Sequence, residues 1–244
     1  MANPNAELSC VVFDAKEDID IIQVLKAFHL VNFAHQETGY SSPTKPLEGE
    51  NLMEVNKELV LAFYNQRRKQ LLDVEPNKGH RALVRLEEHF NVEIITQNVD
   101  DLHERAGSSN VLHLHGELKK VRSTIDPDLV YKMDGWELKM GDHCAKGGQL
   151  RPHIVWFGEE VPNIQLAAKL FRSADCLIIV GTSLNVYPAA GLIHDLKPNS
   201  PIYLVDPNEV NVGLLEGVRV IQSKASEGLT KLVNELLKNN LSLI

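Results

Sequence analysis

The sequence predicts an α/β protein built on a doubly wound, mostly parallel sheet. Three observations carry this. Short apolar runs recur at residues 8–13, 92–95, 176–180 and 201–205. Segments with apolar residues three and four apart lie between them, and polar residues cluster just after several of the runs. Strands covered on both faces read as continuous apolar runs, and their alternation with helices marks parallel crossovers. A chain of 244 residues is long enough for one or two domains with a sizeable core.

Taken in order, residues 8–13 make the first strand. The loop after it, 14–20, carries Asp14, Glu17, Asp18 and Asp20 against Lys16 and has no glycine. Residues 21–35 read as a helix whose apolar face is Ile21, Val24, Leu25, Phe28 and Val31. Residues 39–50, with prolines and glycines, read as a loop. A second helix spans 57–72, with Leu59, Leu61, Phe63 and Leu71 for packing, and with Tyr64 and Arg67 three apart on one face. Asn77 caps a third helix over 78–90.

The strand 92–95 delivers Gln97, Asn98, Asp100, Asp101 and His103 to its C-terminal end, the edge at which open α/β sheets bind ligands. A turn at Gly107 leads to a strand over 111–114, with His115 and Gly116 at its tip. Carboxamide, carboxylate and imidazole groups at one sheet edge suit a polar ligand and acid/base chemistry. Residues 119–150 lose periodicity and read as an inserted lobe. Then follow an apolar stretch at 151–159, a helix over 164–173 and the strand 176–180, which ends in Gly181-Thr182-Ser183. Strands at 201–205 and 218–221 and a helix over 226–238 close the chain.

The formal net charge of −8 excludes a phosphate-backbone partner, so no nucleic acid is expected. No run is long enough to span a bilayer, and no membrane association is expected. The N-terminus lacks a signal pattern, and three cysteines make no disulfide framework. A cytoplasmic location is the expectation.

The motifs QNVDDLHERAG, LHLHGE, RPHIVWFGE and GTSLNVYPAAGL, in this order, resemble the sirtuins, NAD-dependent protein-lysine deacylases. The resemblance runs from about residue 50 to the C-terminus. It implies a Rossmann-like NAD-binding domain over 1–118 and 151–244 and a small lobe inserted at 119–150, with further helical parts within 20–75. A cleft between the two would take NAD and an acyl-lysine peptide. His115 matches the catalytic histidine; an imidazole titrating near neutrality can take a proton from a ribose hydroxyl. His113 is read as structural. Gln97, Asn98, Val99 and Asp100 match contacts to nicotinamide and its ribose. Gly181, Thr182 and Ser183 match the turn that meets the adenosine part, and Asp206 and Ala225 match the adenine end more loosely.

Tyr64 and Arg67, within FYNQRR, match the pair that desuccinylase and demalonylase sirtuins use for acidic acyl groups. A guanidinium fork and a phenol suit a carboxylate. Phe157, Gly158 and Glu159 match the strand that pairs with the substrate peptide. The implied reaction removes succinyl, malonyl or acetyl groups from protein lysines, giving nicotinamide and O-acyl-ADP-ribose.

Two departures stand out. Where many sirtuins carry two CxxC pairs, this chain has Ser123, His143 and Lys146 beside a lone Cys144, so no zinc is expected. The lobe is then expected to be anchored by Trp136. The glycine-rich NAD loop that follows the first strand in sirtuins is absent, and Asp14-Ala15-Lys16-Glu17-Asp18 stands there. An alternative reading is therefore a catalytically impaired sirtuin-like binding module. A third is that residues 1 to about 49 stem from an alternative start or a shifted frame.

Overall fold

The computed structural model describes residues 8–14, 57–156, 159–181, 189–210, 212 and 217–238. The expected helix over 21–35, the acidic loop beyond Asp14, and Phe157, Gly158, Thr182 and Ser183 lie outside the described residues. The chain divides into two compact units. The first takes Met1–Lys16, Glu75–Leu114 and Val161–Ile244; the second takes Glu17–Val74 and His115–Glu160.

Six parallel strands make the sheet of the first unit: β1 (Ser9–Asp14), β2 (Asn91–Thr96), β3 (Val111–His113), β7 (Cys176–Val180), β8 (Ile202–Asp206) and β9 (Val218–Gln222). Their spatial order is β3-β2-β1-β7-β8-β9, so the order reverses between β1 and β7. In sheets of this order dinucleotides bind beside such a reversal, at the C-terminal ends of the strands. The chain is α/β, with the doubly wound parallel sheet that the sequence predicts.

Both faces of this sheet are covered at its centre, which is why β1 and β7 are largely apolar, while the edge strand β9 is mostly exposed and carries Arg219 and Gln222. One face sets Val12, Val92, Ile94, Ile178 and Val205 against α2 (Lys78–Leu86) and α5 (Ala225–Lys238) through Leu83, Leu86, Leu232 and Val233. The other sets Val11, Phe13, Ile95, Leu177 and Ile179 against α4 (Ile164–Ser173) and the short 3-10 helix Ala189–Asp195. Phe13 meets Phe171 edge to face at 5.9 Å between ring centroids. Asn77 caps α2: its Oδ1 accepts from the backbone N–H groups of Gly79 and His80, and its own N–H donates to His80 Nδ1. A Cβ at Gly79 would stand 3.0 Å from the Ala225 carbonyl oxygen, so glycine allows α2 to approach the start of α5.

The second unit holds α1 (Lys57–Leu71) and a three-stranded antiparallel sheet in the order β5-β4-β6, from β4 (Gly116–Ser123), β5 (Val130–Lys132) and β6 (Leu150–Ile154). Because β4 pairs with β6, this unit runs over 115–160, where the sequence placed the inserted lobe at 119–150. Gly116 has φ +84°, and a Cβ there would fall 2.0 Å from the His153 carbonyl oxygen, so only glycine fits. The core is Leu61, Val121, Met133 and Leu138, not Trp136. Trp136 is half-buried, with the Lys69 ammonium 5.3 Å from its ring centroid.

Arg68, which the sequence presents as part of a basic run, is buried. Its Nε donates to the Leu118 carbonyl (2.7 Å) and its Nη1 to Asn65 Oδ1 (2.7 Å). Burial lowers its pKa to about 10. No helix among the described residues is long and apolar enough to cross a membrane.

Candidate active site

In the first unit, the C-terminal ends of β1 and β2 bring together Asp14, Gln97, Asn98, Asp100 and His103, all buried. β2 ends at Thr96, whose Oγ1 accepts from the Asn98 backbone N–H (3.0 Å), while the Gln97 N–H donates to the Asp14 carbonyl (2.9 Å). Asp100 Oδ1 accepts from the Leu102 N–H (3.0 Å) and so heads α3 (Leu102–Ala106), a helix too short to show as periodicity. Val99 is half-buried between them.

Asp14 Oδ2 accepts from Asn98 Nδ2 (3.2 Å) and stands 2.9 Å from His103 Nε2. His103 packs edge to face on His80, 4.7 Å between centroids. Asp14, His80 and His103 offer ligand atoms within 4.8 Å of one another, a spacing that could suit a metal ion. Tautomer chemistry opposes this. His80 Nδ1 accepts the Asn77 N–H, so Nε2 carries the ring proton, and a cation there would cost the helix cap. Burial and the neighbouring His103 push His80 down to about 4, so the ring is neutral. The group is a hydrogen-bonded cluster.

His113 ends β3 with both ring nitrogens facing acceptors: Nδ1 is 3.0 Å from the Asn98 carbonyl and Nε2 is 2.8 Å from Glu104 Oε1. Burial works against the Glu104 carboxylate, but the bond to His113 holds its pKa below the usual range. These contacts make His113 a structural brace of the Asn98 turn.

Gly181 follows β7 with φ +61°, and its N–H donates to the Val205 carbonyl (3.0 Å). Without a Cβ, this backbone can approach a ligand at the sheet crevice closely. Asp206 ends β8, buried, with Oδ1 accepting from the Asn208 N–H (2.7 Å). Ala225 is the first residue of α5.

In the second unit, His115 is half-buried, and its carbonyl accepts from the Val155 N–H (2.9 Å). Tyr64, on α1, accepts from Trp156 Nε1 at 2.7 Å, and burial pushes its phenol up to about 12. Its oxygen takes the indole proton, so its own O–H remains a donor. Arg67 is buried, with its guanidinium 5.2 Å from the Phe63 ring centroid and Nη1 donating to Gln70 Oε1 (2.9 Å).

β6 stops at Ile154, and Glu159 sits in a bend after it. Its carboxylate accepts from Arg151 Nη1 (2.6 Å), Arg122 Nη2 (3.0 Å) and the Trp156 N–H (2.9 Å). The Arg151 guanidinium also stacks on Trp156 at 3.4 Å. Glu159 therefore organises the wall that carries Trp156 and Tyr64.

Sequence reasoning gave no role to Asp14, Arg151 or Trp156. For Asp14 the signal was present, as a carboxylate ending an apolar strand; Arg151 and Trp156 lie within the motif RPHIVWFGE, but their ion pair and ring contacts have no local signature. At the positions compared with zinc ligands, the Cys144 thiol donates to Ser123 Oγ (3.1 Å) and Lys146 pairs with Asp126 (2.6 Å). With His143, the donor set is one thiol, one imidazole, a hydroxyl and an ammonium, which does not fit a four-ligand zinc site.

Comparison with known proteins adds four findings. The Sir2 family model matches residues 35–188. An NAD-dependent protein deacylase of Bacteroides thetaiotaomicron is 52% identical over 184 residues, covering 73% of this chain and 79% of that one. A crystal structure of a Sir2 homologue–NAD complex superposes with a TM-score of 0.73 at 30% identity, over 96% of this chain and 91% of that one. Sir2Af2 bound to a myristoylated histone peptide superposes with a TM-score of 0.66 at 26% identity, over 95% and 92% of the two chains.

Proposed function

This chain belongs to the Sir2 family, and we propose that it is an NAD-dependent protein-lysine deacylase that favours acidic acyl groups, succinyl and malonyl over acetyl. The NAD-dependent deacylase activity follows from relatives that carry that name. The acyl preference rests on Tyr64, whose phenol oxygen is filled by Trp156 and whose proton is left to donate. With a pKa near 12 the phenol stays protonated at neutral pH. Arg67 adds a guanidinium on the same helix.

The first unit has features that suit NAD. These are a strand-order reversal, a glycine at φ +61° at the end of β7, and a buried Asn98 Oδ1 without a hydrogen-bond partner among the described residues. Gln97, Asn98, Val99 and Asp100 would hold the nicotinamide ribose, and Gly181, Thr182 and Ser183, with Asp206 and Ala225, the adenosine part. Bound NAD would supply a ribose carbon activated by a nicotinamide leaving group. His115 would take a proton from a ribose hydroxyl, and Phe157, Gly158 and Glu159 would lie along the acyl-lysine peptide.

The test is nicotinamide release by the purified chain with NAD and matched succinyl-, malonyl- and acetyl-lysine peptides. Tyr64→Phe and Arg67→Met should each lower kcat/KM for the succinyl peptide by about 10- to 100-fold, as expected for a lost hydrogen bond to charge. Both should leave the acetyl peptide within about threefold. An enzyme that handles acetyl and succinyl peptides equally overturns the preference.

The glycine-free stretch Asp14–Asp18 motivates a second reading, an impaired Sir2-like binding module. Peptide binding without nicotinamide release would favour it.

A further inference from the structure

We propose that Asp14 is a positioning residue for the cofactor site: its carboxylate turns the side-chain amide of Asn98 so that Oδ1 is offered to a ligand hydroxyl. The inference rests on reading the first unit as the NAD-binding unit.

An account of the polar groups of Asn98 carries it. Its backbone N–H donates to Thr96 Oγ1 and its carbonyl stands 3.0 Å from His113 Nδ1. Its Nδ2 donates to Asp14 Oδ2 at 3.2 Å. An ionised carboxylate accepts and never donates, so the nitrogen of the amide must face Asp14 and the oxygen must point away. That oxygen is buried and has no hydrogen-bond partner among the described residues, in a residue only 6% exposed. Leaving a buried carbonyl oxygen unpaired is costly, and native structures rarely do so without a ligand or water to fill it.

The group that completes Asn98 is therefore a hydrogen-bond donor. At the ends of β1 and β2, beside the strand-order reversal, a donor of the right class is a ribose hydroxyl of a dinucleotide. Asp14 is itself held in place, because His103 Nε2 stands 2.9 Å from the same carboxylate oxygen. His103 in turn packs against His80, which is fixed in the cap of α2. Among the described residues, the titratable groups facing Asp14 include His103 from α3 and His80 from α2.

Charge alone argues the reverse. A carboxylate at a dinucleotide crevice repels a pyrophosphate, so neutralising Asp14 would tighten binding. The positioning role has the opposite sign, and one substitution separates them.

The experiment is calorimetric titration of the full chain, its Asp14→Asn variant and its Asn98→Ala variant. The probes are NAD and the NAD analogues lacking the 2′- or the 3′-hydroxyl of the nicotinamide ribose. The unmodified chain should bind NAD about tenfold more tightly than one of the two deoxy analogues. Asp14→Asn lets the Asn98 amide turn over. Both variants should bind NAD more weakly, with discrimination falling below about threefold. An Asp14→Asn variant that binds NAD more tightly, or that keeps the tenfold discrimination, overturns the proposal. So does an unmodified chain that treats NAD and both analogues alike.

The side-chain amide NMR signal of Asn98 gives a readout independent of NAD. A slowly exchanging signal in the ligand-free chain that becomes fast in Asp14→Asn supports the orientation, and fast exchange in both overturns it. A chain that takes no NAD while showing the protected amide would overturn the cofactor reading and leave the role of Asp14 in orienting Asn98 standing.

Discussion

Replacing Glu159 by Gln should destabilise the second unit by about 3 kcal/mol, because it removes the counter-charge of a buried arginine. Glu159 pairs with Arg151 at 2.6 Å and with Arg122 at 3.0 Å, and the three side chains are only 11%, 10% and 14% exposed. Little water reaches the cluster to screen the orphaned Arg151, whose guanidinium also stacks on Trp156. Breaking a buried pair from one side costs about 3–5 kcal/mol; the glutamine keeps an acceptor for the Trp156 N–H, which sets the low end.

Urea unfolding of the full chain followed by tryptophan fluorescence reads this directly, because Trp136 and Trp156 both belong to the second unit. The pH dependence adds a check. Burial works against the carboxylate, but the bond to Arg151 holds its pKa below the usual range. Its contribution should be complete above the unfolded value of about 4.3 and vanish as the pH falls through the lower folded value. The gap between the native chain and Glu159→Gln should therefore close in acid. A difference under about 1 kcal/mol at pH 7 would show that the pair behaves as a surface ion pair and would refute the reasoning. So would a gap that persists unchanged in acid.

Three further outcomes are expected. His80 should titrate near 4 by NMR. It should cost stability as the pH falls from its unfolded value of about 6.5 toward 4, because the unfolded chain takes up the proton first; a midpoint above 6 would contradict the buried neutral ring. Asn77→Ala should lose about 1 kcal/mol in thermal or urea unfolding by removing the α2 cap. Gly116→Ala should cost about 3 kcal/mol by the fluorescence assay, combining the left-handed backbone at φ +84° with the clash on the His153 carbonyl.

The parallel sheet was legible because burial on both faces leaves residues 10–13 of β1 and all of β7 without a charged side chain, and such apolar runs stand out in any reading. The α4 helix and the Asn77 cap were legible because both are local: one is a periodicity, the other a side chain reaching two and three residues ahead. The antiparallel sheet of the second unit was not legible. β5 is three residues long and mostly exposed, so it carries no alternation strong enough to read. Nor does a run of arginine and lysine announce that Arg68 is buried. That depends on the Leu118 carbonyl, 50 residues along the chain, arriving where the guanidinium needs an acceptor.

The same division holds at the site. The sequence alone determined the residue types at the ends of β2, β3 and β7, and with them the family resemblance. Only the tertiary structure decided what those residues are doing. Asp14 meets Asn98 and His103 from 84 and 89 residues away, and Tyr64 meets Trp156 from 92. Those encounters depend on the register of packed strands and helices, to which local pattern is blind. An acidic residue at a strand end reads as repulsion in one dimension, and in three it becomes the group that orients an amide.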